Sequence, residues 1–108
     1  MLNFIMTKMM IKCKRHVDCS EPDENGLYLY YYEYDLYEFS IGKTVLRAIS
    51  YTDEPEKVKA RGFLQNGKPI DMLRYDSPDV GAELFREAKA YLSSIGKTKF
   101  KEFYTGTP

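Results

Sequence analysis

The sequence predicts an α+β fold: an antiparallel β-sheet of about five or six strands with one amphipathic C-terminal helix packed on one face. Three observations carry this. The stretch from Leu27 to Thr52, LYLYYYEYDLYEFSIGKTVLRAISYT, reads as a long hairpin. Asn66-Gly67 marks a second turn. Apolar residues then recur at helical spacing from Val80 to Ile95.

Taken in order, Ile5 to Lys14 alternates, with Ile5, Met9, Ile11 and Cys13 on one side and Lys8, Lys12 and Lys14 on the other. That is a first strand with a solvated lysine face. Some of the methionine-rich first ten residues are expected to form a flexible leader. Asp18 to Gly26 is a loop, since proline, Asn-Gly and acidic side chains disfavour regular structure.

The long hairpin follows. Tyr28, Tyr30, Tyr31, Tyr32, Tyr34, Tyr37 and Phe39 fill its first arm, and Val45, Leu46 and Ile49 its second. Aromatic and β-branched side chains suit a pleated, half-buried surface. Gly42-Lys43 fits a two-residue type II′ turn. Counting outward sets Phe39 against Leu46, Leu36 against Ile49, Tyr34 against Tyr51 and Glu38 against Arg47. The last two are favourable cross-strand pairs, at ~0.2–1 kcal/mol each. Asp53-Glu54-Pro55-Glu56 makes the next turn.

Lys57 to Gln65 is a further strand, with Gly62 at a bulge. The Asn66-Gly67 turn is of type I′ and sets Phe63 against Ile70 and Leu64 against Pro69. Proline there places the return arm at a sheet edge. Ser77 is the expected N-cap and Pro78 the first helical residue. At ~100° per residue, Val80, Leu84, Phe85, Ala88, Tyr91, Leu92 and Ile95 fall within an arc of about 140°. Gly96 ends the helix, and Thr98 to Tyr104 adds a last strand.

One helix covers one face, yet both faces are apolar. Tyr28, Tyr30, Tyr32, Tyr34, Leu36, Ile49 and Tyr51 share one side; Leu27, Leu29, Tyr31, Tyr37, Phe39, Leu46 and Ala48 share the other. A free sheet face normally alternates with polar residues. The surplus face is therefore curled on itself, docked on a partner, or a wet tyrosine surface.

The 108 residues are read as a single domain, 1–108, with 44% hydrophobic and 30% charged residues. Sixteen basic residues balance sixteen acidic ones, so a partner held mainly by counterion release is not expected. The N-terminal stretch lacks signal-peptide features, and Lys8 and Lys12 interrupt it. A cytoplasmic protein with reduced thiols, off the membrane, is the expectation.

Chemical motifs are sparse. Cys13-x2-His16-x2-Cys19 lacks a fourth metal ligand and, on a strand, turns His16 away from both thiols. Asp18, Glu21, Asp23 and Glu24 lack calcium-loop spacing. Glu33 and Asp35 share a face roughly 7 Å apart, while Glu38 is accounted for by Arg47. Gly42-Lys43-Thr44 resembles the end of a phosphate loop, but Tyr37 stands where its first glycine belongs. Alternating Tyr30, Tyr32 and Tyr34 could stack bases, but Leu27 to Gly42 contains no lysine or arginine and three acids.

The sequence thus predicts no catalytic residue, metal or cofactor. It predicts a non-enzymatic interaction domain using Tyr28, Tyr30, Tyr32, Tyr34 and Tyr51 to bind a protein or form a homodimer. Nucleic acid and membrane are not expected partners. The alternative is a small-ligand cup between a curled sheet and the helix.

Overall fold

Turn chemistry and strand pattern lay out the chain as expected. The computed structural model describes residues 9–70 and 78–101. Six strands, β1 (Met10–Cys19), β2 (Tyr31–Ile41), β3 (Thr44–Tyr51), β4 (Lys57–Gln65), β5 (Lys68–Ile70) and β6 (Lys99–Lys101), accompany one helix, α1 (Pro78–Ser94). The sheet order is β1-β2-β3-β4-β5, and β6 also pairs with β4.

Both hairpin registers are those counted from the turns. Phe39 faces Leu46, Leu36 faces Ile49, Tyr34 faces Tyr51 and Glu38 faces Arg47. Phe63 faces Ile70 and Leu64 faces Pro69. Gly42 has φ +61°, as the first position of a type II′ turn requires. Asn66 and Gly67 have φ +52° and +80°, the two positive values of type I′. The β3–β4 register shifts between Arg47 and Ala48, opposite Gly62, which is the expected bulge.

Two strand boundaries differ from expectation. The described part of β1 runs through Cys19, past Lys14 and into the predicted loop, because β2 is long enough to pair with it through Tyr31. Ile5 and Lys8 lie outside the described residues. Leu27 to Tyr30 precede β2 rather than belonging to it. There, Asp23 Oδ1 accepts from the Asn25 and Leu27 amides at 2.8 and 2.9 Å, and Ser20 Oγ accepts from the Leu29 amide at 2.8 Å. Side chains thus satisfy backbone donors that a ladder would otherwise take. The last strand, β6, runs parallel to β4, with Val58 opposite Phe100. Ser77 and residues past Lys101 lie outside the described residues.

Alternation decides what the helix covers. Tyr37, Phe39 and Ile41 of β2, Leu46 and Ala48 of β3, and Val58, Ala60 and Phe63 of β4 form one core with Leu84, Phe85, Ala88 and Leu92 of α1. Val80 and Tyr91 pack against it, but Ile95 is 47% exposed. Its position falls beyond the last helical residue, Ser94, where the chain turns at Gly96 with φ +92°. The helical period no longer applies there. Phe63 and Phe85 meet edge to face across the interface, 5.1 Å between ring centres.

Lys97 ties this layer together. Its buried Nζ donates to Ser50 Oγ at 2.9 Å and to the Pro55 carbonyl at 2.8 Å. It also lies 6.0 Å from the centre of the Tyr37 ring. Ser50 Oγ in turn donates to the Lys57 carbonyl at 2.7 Å. Replacing Lys97 by Met keeps the stem and removes both charged hydrogen bonds. The expected cost is about 1.5–3 kcal/mol, read as a lower urea midpoint at unchanged slope.

Burial, then the neighbouring Cys13 and Asp35, raises the Tyr37 phenol well above its usual range. The folded state therefore holds this proton more tightly than the unfolded chain. Stability is full below the ordinary tyrosine pKa of about 10 and is lost as pH rises beyond it. Tyr37→Phe is expected to flatten that alkaline decline in urea titrations at stepped pH.

Candidate binding face

The side of the sheet away from α1 carries the even residues of β1 and β2 and the odd residues of β3. On it His16 stacks on Tyr34 at 5.5 Å, Tyr34 meets Tyr51 at 5.6 Å, Tyr51 meets Tyr32 at 6.0 Å, and Tyr32 meets Tyr30 at 6.1 Å. These contacts run without a break across three strands. Tyr30 and Tyr32 are about half exposed and Tyr51 about a third, so the row presents ring surface to solvent.

Of the tyrosines singled out in the sequence, Tyr30, Tyr32, Tyr34 and Tyr51 come together. Tyr28 does not. It pairs with Tyr31 at 5.4 Å, because Leu27 to Tyr30 leave the strand and its alternation.

Two concavities meet at Tyr51. One, of about 290 Å³, is lined by Asp18, Tyr32, Tyr34, Leu36, Arg47, Ile49, Tyr51 and Arg61. The other, of about 460 Å³, is lined by Ile49, Tyr51, Glu54, Lys57, Val58, Lys59, Lys99, Phe100 and Lys101. Ile49 and Tyr51 line both, so the two concavities adjoin along β3 and are together called the trough. The trough lies along the helix-free face, whereas the sequence suggested a cup between sheet and helix.

The cations are what sequence reasoning missed. Gly62 opposes Arg47 at the bulge, leaving Arg61 as the extra residue beside it. Both guanidinium side chains reach the first concavity. Arg47 Nε is buried with no hydrogen-bond partner among the described residues. Parallel pairing of β4 and β6 sets Lys57 opposite Lys99 and Lys59 opposite Lys101. Glu54 pairs with Lys57 and Glu56 with Lys99, so carboxylates offset part of this charge. The legible signal was period two: KVKAR from Lys57 and KFK from Lys99 each put every cation on one face.

Two of the three acids of the tyrosine arm lie elsewhere, while Glu38 stays on this face opposite Arg47. Glu33 and Asp35 occupy the opposite face, where Arg15 donates to both, at 2.7 Å to Glu33 and with two nitrogens to Asp35 at 2.5 and 3.2 Å. Those contacts raise the Arg15 pKa, the Asp35 hydrogen bond most, then that of Glu33. Glu38 sits between Lys12 and Arg47 in the register. Asp18 is the carboxylate at the rim.

The remaining motifs do not converge. Cys13 and Cys19 point to the helix side of β1 and His16 to the other. Neither thiol is fully buried. Among the described residues no three His, Cys, Asp or Glu side chains gather as a metal site. Burial first, then Asp35, pushes the Cys13 thiol above its usual range, which disfavours the nucleophilic thiolate. No described helix is long and apolar enough to cross a membrane.

No family model, curated protein or solved structure matches the chain.

Like charges directly opposite in a ladder are destabilising by tenths of a kcal/mol up to ~1. Lys101→Glu turns one such pair into an attractive one. The expected result is a gain of that size in urea-unfolding stability, shrinking as salt is added.

Proposed function

We propose that this chain is a non-enzymatic binding domain and that its working surface is the helix-free sheet face. The observation carrying this is the unbroken row of rings from His16 to Tyr30, about half exposed at Tyr30 and Tyr32 and bordered by cations. Exposed aromatic rows give large contact area with few rotatable bonds to fix on binding. A soluble sheet that keeps such rings wet does so at a cost in burial, which binding offsets.

Self-association has separate support. Strand β1 is a ten-residue edge, paired on one side only among the described residues, with Met10 and Val17 exposed at 63% and 52%. Such an edge is a template for a second copy. Two copies meeting through the cationic face would instead repel. Homodimerisation is accordingly assigned to β1 and partner binding to the tyrosine face. Light scattering during size exclusion over a tenfold concentration range tests the first: a concentration-dependent dimer supports it, and a strict monomer removes it.

The face itself is tested by incorporating a photoreactive phenylalanine analogue at position 51 or at position 86, on the exposed outer side of α1. Irradiation in the cell is expected to give a discrete high-mass adduct from position 51 and none from position 86. Equal labelling at both positions would count against a specific face.

A further inference from the structure

Resting on that reading, we propose that the occupant of the face is single-stranded nucleic acid. Its bases stack on Tyr32, Tyr34 and Tyr51, and its phosphates meet Arg47, Arg61 and Lys101. Two chemistries have to coincide for this ligand, flat π surfaces and cations within one backbone's reach of them. They coincide here. The trough turns on Tyr51, with the arginines in one arm and the lysines in the other. Over the ~3.3 Å rise per residue of a strand, Arg47 and Tyr51 stand about 13 Å apart on one face of β3, with Ile49 between them.

Net neutrality and the acidic tyrosine arm pointed away from this ligand. Pleating removes the second objection for two of the arm's three acids; Glu38 stays on this face, opposite Arg47. Glu33 and Asp35 face the other way, bound to Arg15, while neighbouring strands supply the cations that the arm lacks. Segregation of charge answers the first, because a phosphate backbone senses the local field over about a Debye length, ~8–10 Å.

Charge complementarity also selects among occupants. The unpartnered buried Arg47 Nε is a donor facing an anion's side of the sheet. The lysines of β4 and β6 stand opposite one another, with Glu54 and Glu56 offsetting part of their charge. A second copy brings the same charges. A duplex keeps its bases stacked inside and offers the rings nothing.

The experiment uses the full chain and labelled oligothymidylate and oligouridylate of about twelve nucleotides, within the usual span of such sites. Fluorescence anisotropy reads binding. Tyrosine emission, undisturbed because the chain has no tryptophan, reads stacking by quenching. The expected result is saturable binding below about 100 µM with quenching, and weaker binding of a duplex of equal length. Tyr51→Ala weakens it about tenfold or more. Arg61→Gln lowers the slope of log affinity against log salt by about 0.7. Arg86→Gln, on the outer side of α1, changes neither.

Absence of binding at that concentration overturns the inference. So does binding indifferent to Tyr51→Ala and matched by poly-glutamate, which is charge alone. The photo-adduct at position 51 separates this from failure of the wider reading. An adduct whose mass collapses to that of the chain on nuclease treatment supports nucleic acid. A nuclease-resistant adduct overturns nucleic acid and leaves a protein-binding face, whereas no adduct and no oligonucleotide binding remove both.

Discussion

The two-residue turn at Gly42-Lys43 fixes which side of every long strand meets the helix. Side chains alternate with period two, so a slip of one residue would exchange the faces of β2 against β3. With the turn as it stands, Phe39 and Leu46 are fully buried under α1, and Tyr34 and Tyr51 face the other way. Strand β1 inherits that register from β2 and β4 from β3. The tyrosine row and the core are thus two outcomes of one positive φ.

Electrostatics follows the same partition. Arg15 with Glu33 and Asp35 makes a closed cluster on the helix side. On the far side, lysines face lysines, and among the described residues Glu54 pairs with Lys57 and Glu56 with Lys99. A chain with no net charge thereby carries a polar charge distribution. Exposed ion pairs contribute little to stability. The layout consequently bears on recognition more than on folding.

The hairpins were legible because their turn residues admit few backbone conformations, and registers then followed by counting. The helix was legible from its period, except Ile95, where the period outlasted the hydrogen-bonded turns. The edges of β1 and β2 were not. Leu27 to Tyr30 have strand-like composition, but Ser20 and Asp23 capture the Leu29 and Leu27 amides, side-chain bonds within the loop that single-residue strand propensity does not register. The candidate face was half legible. Its rings lie on contiguous strands, whereas its cations come from β4, the bulge at Gly62 and β6, brought together by a parallel pairing that no turn announces.

That parallel pairing also sets a schedule. Glu56 and Lys99 are 43 residues apart, and the chain between them includes β5 and α1. Hairpins close quickly, whereas a contact of such separation waits for the loop entropy to be met by other structure. During synthesis the first four strands can form while the lysines of β6 are still unmade. The cationic arm of the trough is therefore a late product of folding. A nascent or partly unfolded chain exposes its tyrosines without it, and recognition that needs both discriminates finished molecules from unfinished ones.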